Sequence, residues 1–296
     1  MAAPLPSLDH LILFLPLSSD STPQIPTSIS TAFTLTPGGK HADNLTANTL
    51  ILLADGCYIE LISFLTPDIS NHWWGPDFNR RGWADWCLTT QESALENYEG
   101  RLKGKEGGGS HVRPRAGGRL RPDGVQVKWS VTFPEGENGG QDKRGRIPFF
   151  CHDDPITARH LRVPISEEKT KHDSGALGVY SITVLVKDQE TFVATRSVYA
   201  TILGQEVGEK SVDEAVFQAG RVKDVNGWLG LEGQGALVKL RIVAGEEVEK
   251  VKEKGYWFGD VTLGAKAGGG RNAGDRRRVD HGDGEGDVGG VWIEYV

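Results

Sequence analysis

The sequence predicts an α+β protein assembled from repeated βαβββ units. Three observations carry this. The stretch LDHLILFL at residues 8–15 has the composition and length of a buried strand and is stopped by Pro16. A short helical stretch, a Gly-rich turn and two further apolar strands follow it, which gives strand, helix and strands within one small unit. Strand starts of the same kind recur at Gly82 and Gly178, so an internal repeat is the economical reading.

The first unit covers residues 1–66. Ser28 to Phe33 suits a short helix, and Thr36-Pro37-Gly38-Gly39-Lys40-His41 reads as a turn. Thr49–Leu53 and Cys57–Phe64 read as strands joined at Ala54-Asp55-Gly56, where Asp-Gly favours a hairpin. The second unit, residues 82–165, pairs with the first. It opens on the strand Gly82–Thr89 and continues with a helix over Gln91–Leu102, whose early acids and late Arg101 suit the helix dipole. Strands at Gly118–Arg121 and Val125–Phe133 flank the turn Pro122-Asp123-Gly124, and Ile147–Cys151 closes the unit. A third, more divergent unit spans 176–296. It offers a strand at Gly178–Val186, a helix over Gln189–Leu203 ended by Gly204, a strand at Gly235–Val243 and a last strand at Gly290–Val296. Lys103–Gly118 and Gly264–Gly290 are rich in Gly and charge and read as exposed loops, with Arg276-Arg277-Arg278 solvated in the second.

A length of 296 residues is enough for two ordinary domains or one large one. The net charge of −7, with no basic stripe, argues against a nucleic-acid partner. No stretch approaches the ~18 apolar residues that cross a membrane. The N-terminal apolar run lacks a basic flank and has Asp9 and His10 at its edge, which suits a first strand better than a signal peptide. Cys57, Cys87 and Cys151 are odd in number and widely spaced, as expected of buried free thiols in a reducing, cytoplasmic compartment. The sequence has no phosphate-binding Gly loop ahead of a helix, no nucleophile elbow and no paired CxxC. The oligomeric state is left open by the sequence.

Alternation along the first strand puts Leu8, His10, Ile12 and Phe14 on one face and Asp9, Leu11, Leu13 and Leu15 on the other. Glu60 shares a face with Tyr58 and Ile62, and a carboxylate buried there needs a partner. One inward imidazole and one inward carboxylate suit a divalent ion such as Fe, Mn, Ni or Zn. The end of the chain echoes this: Gly290-Val291-Trp292-Ile293-Glu294 aligns with Gly56-Cys57-Tyr58-Ile59-Glu60. Within Gly38–Asn48, glycine permits close approach to a ligand, and His41, Thr46 and Asn48 can hydrogen-bond one. Trp73, Trp74, Trp83 and Trp86 fall close together and suit a pocket wall, a lid or an interface. Arg119 and Arg121 alternate onto one face and suit a carboxylate or phosphate. His152, Asp153 and Asp154 form a third polar group.

The segments LDHLILFLP, LTPGGKHADNLTANTLILLADGCYIELISF, WWGPDFNRRGWADWCLTT, RLRPDGVQVKW and IPFF, in that order, resemble the glyoxalase-like family of the vicinal-oxygen-chelate superfamily. The resemblance runs through residues 8–150 and more weakly to about 205, and GGKHADNLTANT is its most specific part. It implies mixed sheets that curl around a small-molecule pocket, with metal ligands from the first and last strands of a unit, here His10 and Glu60. The partner unit departs from the pattern. Its first strand offers Asp85 or Trp86 where a second His is expected, and IPFFC holds no acid, with His152 just beyond. The third unit offers Ser181 and Ile182 at its start. The resemblance implies an enzyme in which one divalent ion is held by His10, Glu60 and a third group, His41 or His152. It would act on a small oxygenated metabolite by lyase, isomerase or dioxygenase-type chemistry. Glu60 and His41 are then the candidate catalytic groups, with Glu294 an alternative base, and Asn48, Thr46, Trp86 and Arg121 contact the substrate. The competing expectation is a metal-free module that binds or sequesters a small molecule among the tryptophans, with Arg121 on its anionic end.

Overall fold

The leading strand β1 (Ser7–Phe14) is buried along nearly its whole length, because it lies inside an eight-stranded mixed sheet with both faces covered. The computed structural model describes residues 4–67, 69, 72–75, 81–104, 110–121, 123–137, 139–225, 235–280 and 287–296. From β1 the chain passes through α1 (Thr27–Ala32) into β2 (Thr36–Lys40), β3 (Thr46–Leu52) and β4 (Tyr58–Phe64). β4 returns parallel to β1, and β5 (Gly82–Thr89) lies antiparallel on the other side of β1. Next come α2 (Ala94–Asn97), β6 (Ser110–His111), β7 (Arg115–Leu120), β8 (Gln126–Thr132), β9 (Pro134–Glu135) and β10 (Phe149–Asp153). The sheet order is β2-β3-β4-β1-β5-β10-β8-β7.

The two edges of this sheet meet. His41 and Arg119 form a bridge, and the Ala42 N–H donates to the Gly118 carbonyl at 3.0 Å. The sheet is thereby curled into a nearly closed barrel, which spares β2 and β7 two open edges.

A second sheet follows α3 (Arg159–Arg162) and α4 (Glu167–Thr170). Its elements are β11 (Ala176–Val186), α5 (Gln189–Leu203), β12 (Glu214–Ala219), β13 (Ala236–Ile242), α6 (Val248–Val251), β14 (Tyr256–Ala265), β15 (Arg276–Arg278) and β16 (Val291–Tyr295), in the order β12-β13-β11-β14-β16-β15. Both sheets share one logic. A leading strand runs parallel to the last strand of its own pass and antiparallel to the first strand of the next. The stretch expected as a single third unit therefore holds two such passes, β11–β13 and β14–β16. The start at Tyr256 is hard to see in sequence because no long helix follows it. Leu11, Leu13, Ile59 and Leu61 of the first sheet share one buried core with Phe192 and Tyr199 of α5 and with Ile182 and Val184 of the second sheet.

Several local expectations are corrected. Thr36–Lys40 is a strand and not a turn. A bulge between Pro37 and Gly39, with Gly39 at φ 122°, lets this Gly-rich stretch pair with β3. The helix expected over Gln91–Leu102 starts at Ala94, where Ser93 and Glu96 form a reciprocal capping box, and ends as a π-helical turn over Tyr98–Leu102. Of the two segments expected as loops, the described part of the first contains β6 and β7, with His111 buried. The second contains β15, whose Arg276 stacks 4.1 Å over the Trp292 ring, and a buried Asp280 that accepts the backbone N–H groups of Val288, Gly290 and Val291. Ring stacking and a buried carboxylate order these residues without the apolar pattern on which the loop reading relied. Residues 105–109 and 281–286 lie outside the described residues. The last strand, expected over Gly290–Val296, is observed over Val291–Tyr295, where it pairs with both β14 and β15. The three cysteines are free and buried. Among the described residues no helix is long and apolar enough to cross a membrane.

Candidate active site

The site begins with an irregularity in β1. Its pairing with β5 slips between Leu8 and His10, leaving Asp9 as the extra residue of a bulge. Strict alternation would put Leu8 on the face of His10. Instead Leu8 joins Leu11 and Leu13 in the core, while His10 faces the barrel interior. The bulge also brings Asp9 alongside its neighbour's ring, with Oδ1 2.5 Å from His10 Nδ1. Burial would raise the Asp9 pKa, but the Arg159 and Arg162 guanidiniums outweigh it and hold the carboxyl well below its usual range. Arg162 grips both Asp9 oxygens at 2.9 Å, and also donates to Asp153 and, at 2.9 Å, to the Tyr58 hydroxyl. An ionised carboxylate only accepts, so His10 carries its hydrogen on Nδ1. In the neutral ring, Nε2 is then left as a lone pair. That Nε2 lies 3.8 Å from Glu60 Oε2.

His41 is oriented in a parallel way. Its Nδ1 sits 2.6 Å from the Thr46 hydroxyl, and its Nε2 lies 3.4 Å from Glu60 Oε1. Burial lowers the His41 pKa, so the ring is neutral at pH 7. Asn48 donates from Nδ2 to Glu60 Oε1 at 2.5 Å. Burial would raise the Glu60 pKa, but His41, His10, the Asn48 hydrogen bond and the Arg119 guanidinium outweigh it and hold the carboxyl below its usual value. The Asn48 Oδ1 is buried without a hydrogen-bond partner. Asn48 fits only because residue 38 is glycine: a Cβ there would stand 1.8 Å from Oδ1.

These groups form the base of a cavity of about 450 Å³ inside the barrel. Trp73, Trp129, Phe133 and Phe149 wall it, and Trp74 completes the wall. The Trp73 and Trp74 indoles both donate to Asp85 Oδ2, at 3.1 and 3.2 Å. Burial pushes the Asp85 pKa up to about 6 despite these donors.

A profile of the glyoxalase-like domain matches residues 8–200, well over half of the chain and the whole of this barrel. The chain belongs to the glyoxalase-like family. A Staphylococcus aureus protein, described as hypothetical, superposes with a TM-score of 0.67 at 14% identity, over 99% of this chain and 100% of its own. Both sheets therefore belong to a fold that this structure shares along its whole length. Two further solved structures align less closely. A mutant of 4-hydroxymandelate synthase from Streptomyces coelicolor gives a TM-score of 0.49 at 10% identity, covering 89% of this chain and 72% of that one. A halotolerant catechol dioxygenase gives 0.38 at 9% identity, covering 88% and 70%. No curated protein matches the chain.

Among the described residues, two places bring ligand-type atoms close enough to consider for a divalent ion. Atoms that share an ion through ~2.0–2.2 Å bonds stand about 3–3.5 Å apart. His41 and His10 come close to that spacing from Glu60, at 3.4 and 3.8 Å, with both Nδ1 atoms tied from behind. The orphaned Asn48 Oδ1 adds an unfilled acceptor beside them. A second grouping, Asp9, His10 and Cys87, places ligand-type atoms within 4.8 Å of one another. It does not fit: Asp9 is already gripped by two guanidiniums, and burial pushes the Cys87 thiol far above its usual value.

Other expected site residues are placed elsewhere. Trp86 is fully buried outside the cavity, edge-on to Tyr199, and donates to the Gly145 carbonyl at 3.0 Å, so it packs the core. Arg121 lies past the end of β7 and donates to the Leu161 carbonyl and to Asp123; its strand neighbour Arg119 is the one that lines the cavity. Thr46 reaches the site through His41. His152 bonds the Thr90 hydroxyl at 3.0 Å and is absent from the cavity lining, because β10 turns Phe149 and Cys151 inward and His152 outward. Glu294 is half-buried in the second sheet, opposite Arg276.

The second sheet does not repeat the cluster. β11 has a slip at Tyr180 that matches the one at Asp9. Aligned on it, His10, Tyr58 and Glu60 become Ser181, Leu237 and Lys239. A lysine stands where the carboxylate should be. Asp9, Arg119 and Arg162 are the site residues that sequence reasoning underused. The Arg-x-Arg stretch before Pro122 was a signal for one of them, and nothing local pointed to Arg162.

Proposed function

We propose that the chain is an enzyme that acts on a small oxygenated molecule held in the barrel, with Glu60 moving the proton. The observation that carries this is the convergence of two imidazole Nε2 atoms on the two oxygens of one buried carboxylate, at 3.8 and 3.4 Å. His10 Nε2, His41 Nε2 and Glu60 would hold one divalent ion, of the Zn, Fe, Mn or Ni kind. Such an ion would supply Lewis-acid stabilisation of charge developing on adjacent substrate oxygens.

The chain's own residues supply the rest. Glu60 is ionised at neutral pH and faces the cavity, so it can take a proton from a carbon or hydroxyl of the bound molecule. Asn48 holds Glu60 in place, and Asp9 fixes which nitrogen of His10 is offered. The aromatic walls exclude water, which strengthens each polar contact at the base.

The experiment is metal analysis of the full chain purified without chelator, together with His10→Ala and Glu60→Ala. About one equivalent of divalent metal in the native chain, and its loss in both variants, is expected. Retention of full metal in both variants ends the metal assignment. A native chain without metal that still binds small molecules favours the sequestering module instead.

A further inference from the structure

The cavity has two chemically different sides. Glu60, His10 Nε2 and Asn48 Oδ1 on the β1, β3 and β4 side are hydrogen-bond acceptors. The β7–β8 side presents donors. Arg119 is only 3% exposed and lines the cavity. Two of its N–H groups go to the carbonyls of Gly38 and Arg162, and among the described residues no carboxylate pairs with it. A buried guanidinium whose hydrogen bonds go to two neutral carbonyls keeps spare donors. Trp129 sits beside it, opposite Gly117 in the β7–β8 ladder. A side chain at Gly117 would meet the indole Nε1 at 2.4 Å, so glycine there makes room for the ring. The ring stands edge-on to His41 at 5.9 Å, and its N–H has no partner among the described residues. Arg115 adds a third donor on the same strand. Trp73 and Phe133, stacked 4.2 Å apart, form part of the wall around this space.

We infer that the substrate is a small flat molecule bearing a carboxylate, whose oxyanion is received by Arg119 and Trp129 while its remaining oxygens face Glu60. This names the substrate class of the site proposed above, and it rests on that reading only for the placing of the remaining oxygens. The planar fork of arginine matches the two oxygens of a carboxylate, and aromatic walls suit a flat body.

Benzoate and benzamide serve as probes, equal in shape and different in charge, with binding to the full chain followed by calorimetry. Native protein should bind benzoate at least ~10-fold more tightly than benzamide. Arg119→Gln should bring the two together. Arg119 also ties the barrel seam, so Trp129→Phe is the variant that spares it; benzoate should weaken ~3–10-fold and benzamide less. His10→Ala should keep the benzoate preference even where it abolishes metal binding, which separates this inference from the metal assignment. Equal or absent binding of both probes by the native chain overturns it. So does a preference that survives Arg119→Gln, or one that is lost in His10→Ala and kept in Trp129→Phe.

Discussion

Asp9 and His10 are sequence neighbours in one strand, yet their side chains touch, with Oδ1 2.5 Å from Nδ1. A regular strand would point them to opposite faces. The bulge makes the contact possible, and Arg162 anchors Asp9 from behind. Asp9→Asn should therefore act at two levels. Leaving Arg159 and Arg162 short of a carboxylate should cost about 3–5 kcal/mol, read by urea unfolding. It should also weaken metal binding about 10–100-fold, as loss of a partner behind a ligand does. Unchanged metal affinity in a folded Asp9→Asn protein would show that Asp9 only packs.

Gly38→Ala should disrupt the base of the cavity from outside it. The new Cβ would overlap Asn48 Oδ1, at 1.8 Å, and crowd its backbone carbonyl at 2.8 Å. Asn48 must move, and Glu60 then loses its hydrogen bond. A loss of about 1–3 kcal/mol in stability is expected, with weakened metal binding. Gly100→Ala is the control, because nothing lies within 4 Å of a Cβ there. It should leave both properties unchanged or raise stability by about 0.5–1 kcal/mol.

Asp55 gives a pH-dependent prediction. It is buried at the β3–β4 turn and accepts from the Cys57 and Val179 N–H groups, linking the first sheet to the second. Burial raises its pKa from 3.8 to about 6. A raised carboxyl pKa means that the folded state holds the proton more tightly. Its contribution is fully present below pH ~3.8 and is lost as the pH rises through about 6, a change of about 3 kcal/mol. Buried His41, His152 and His172, all with lowered pKa values, contribute in the opposite sense between their folded values and 6.5. The measurement is therefore the difference in Tm between Asp55→Asn and the native chain at pH 4.5 and pH 7. The variant should gain on the native protein as the pH rises, and a constant difference would contradict the assignment.

The chain's end tests the second sheet. β16 lies between β14 and β15, with Val291, Ile293 and Tyr295 buried. Removing residues 290–296 should open an edge on β14 and give aggregated protein. Composition alone suggests that Gly268–Glu285 can be deleted without harm. The structure predicts otherwise, because that deletion removes β15 and Asp280. A lowered Tm is expected, and an unchanged one would mean that these contacts contribute nothing.

The fold was legible where apolar periodicity was strong. β1, β4, β5, α5 and β16 were all read close to their observed bounds. It was hidden where ordering comes from other sources: the glycines of β2, the arginines of β15 stacked on Trp292, and the fourth pass beginning at Tyr256. For the site, His10, Glu60, Asn48 and His41 were read as polar side chains in or beside core strands, and the structure brings them together. Trp86 and Arg121 were misplaced because composition cannot tell one face of a strand from the other once bulges and strand ends intervene. Arg162 escaped because its importance lies in contacts more than 100 positions away in sequence, with Asp9 and Tyr58.

Among the described residues, the barrel seam carries a bridge between His41 and Arg119, the Ala42–Gly118 hydrogen bond beside it, and the bond from the Arg119 side chain to the Gly38 carbonyl. The residues that rivet the ring are thus the ones that face its contents. Closure and occupancy then become a single equilibrium: whatever grips His41 or Arg119 from inside also holds the two edges together, and by the same free energy a closed ring grips more firmly. The Ala42 amide should report this directly, exchanging its hydrogen more slowly when the barrel is filled.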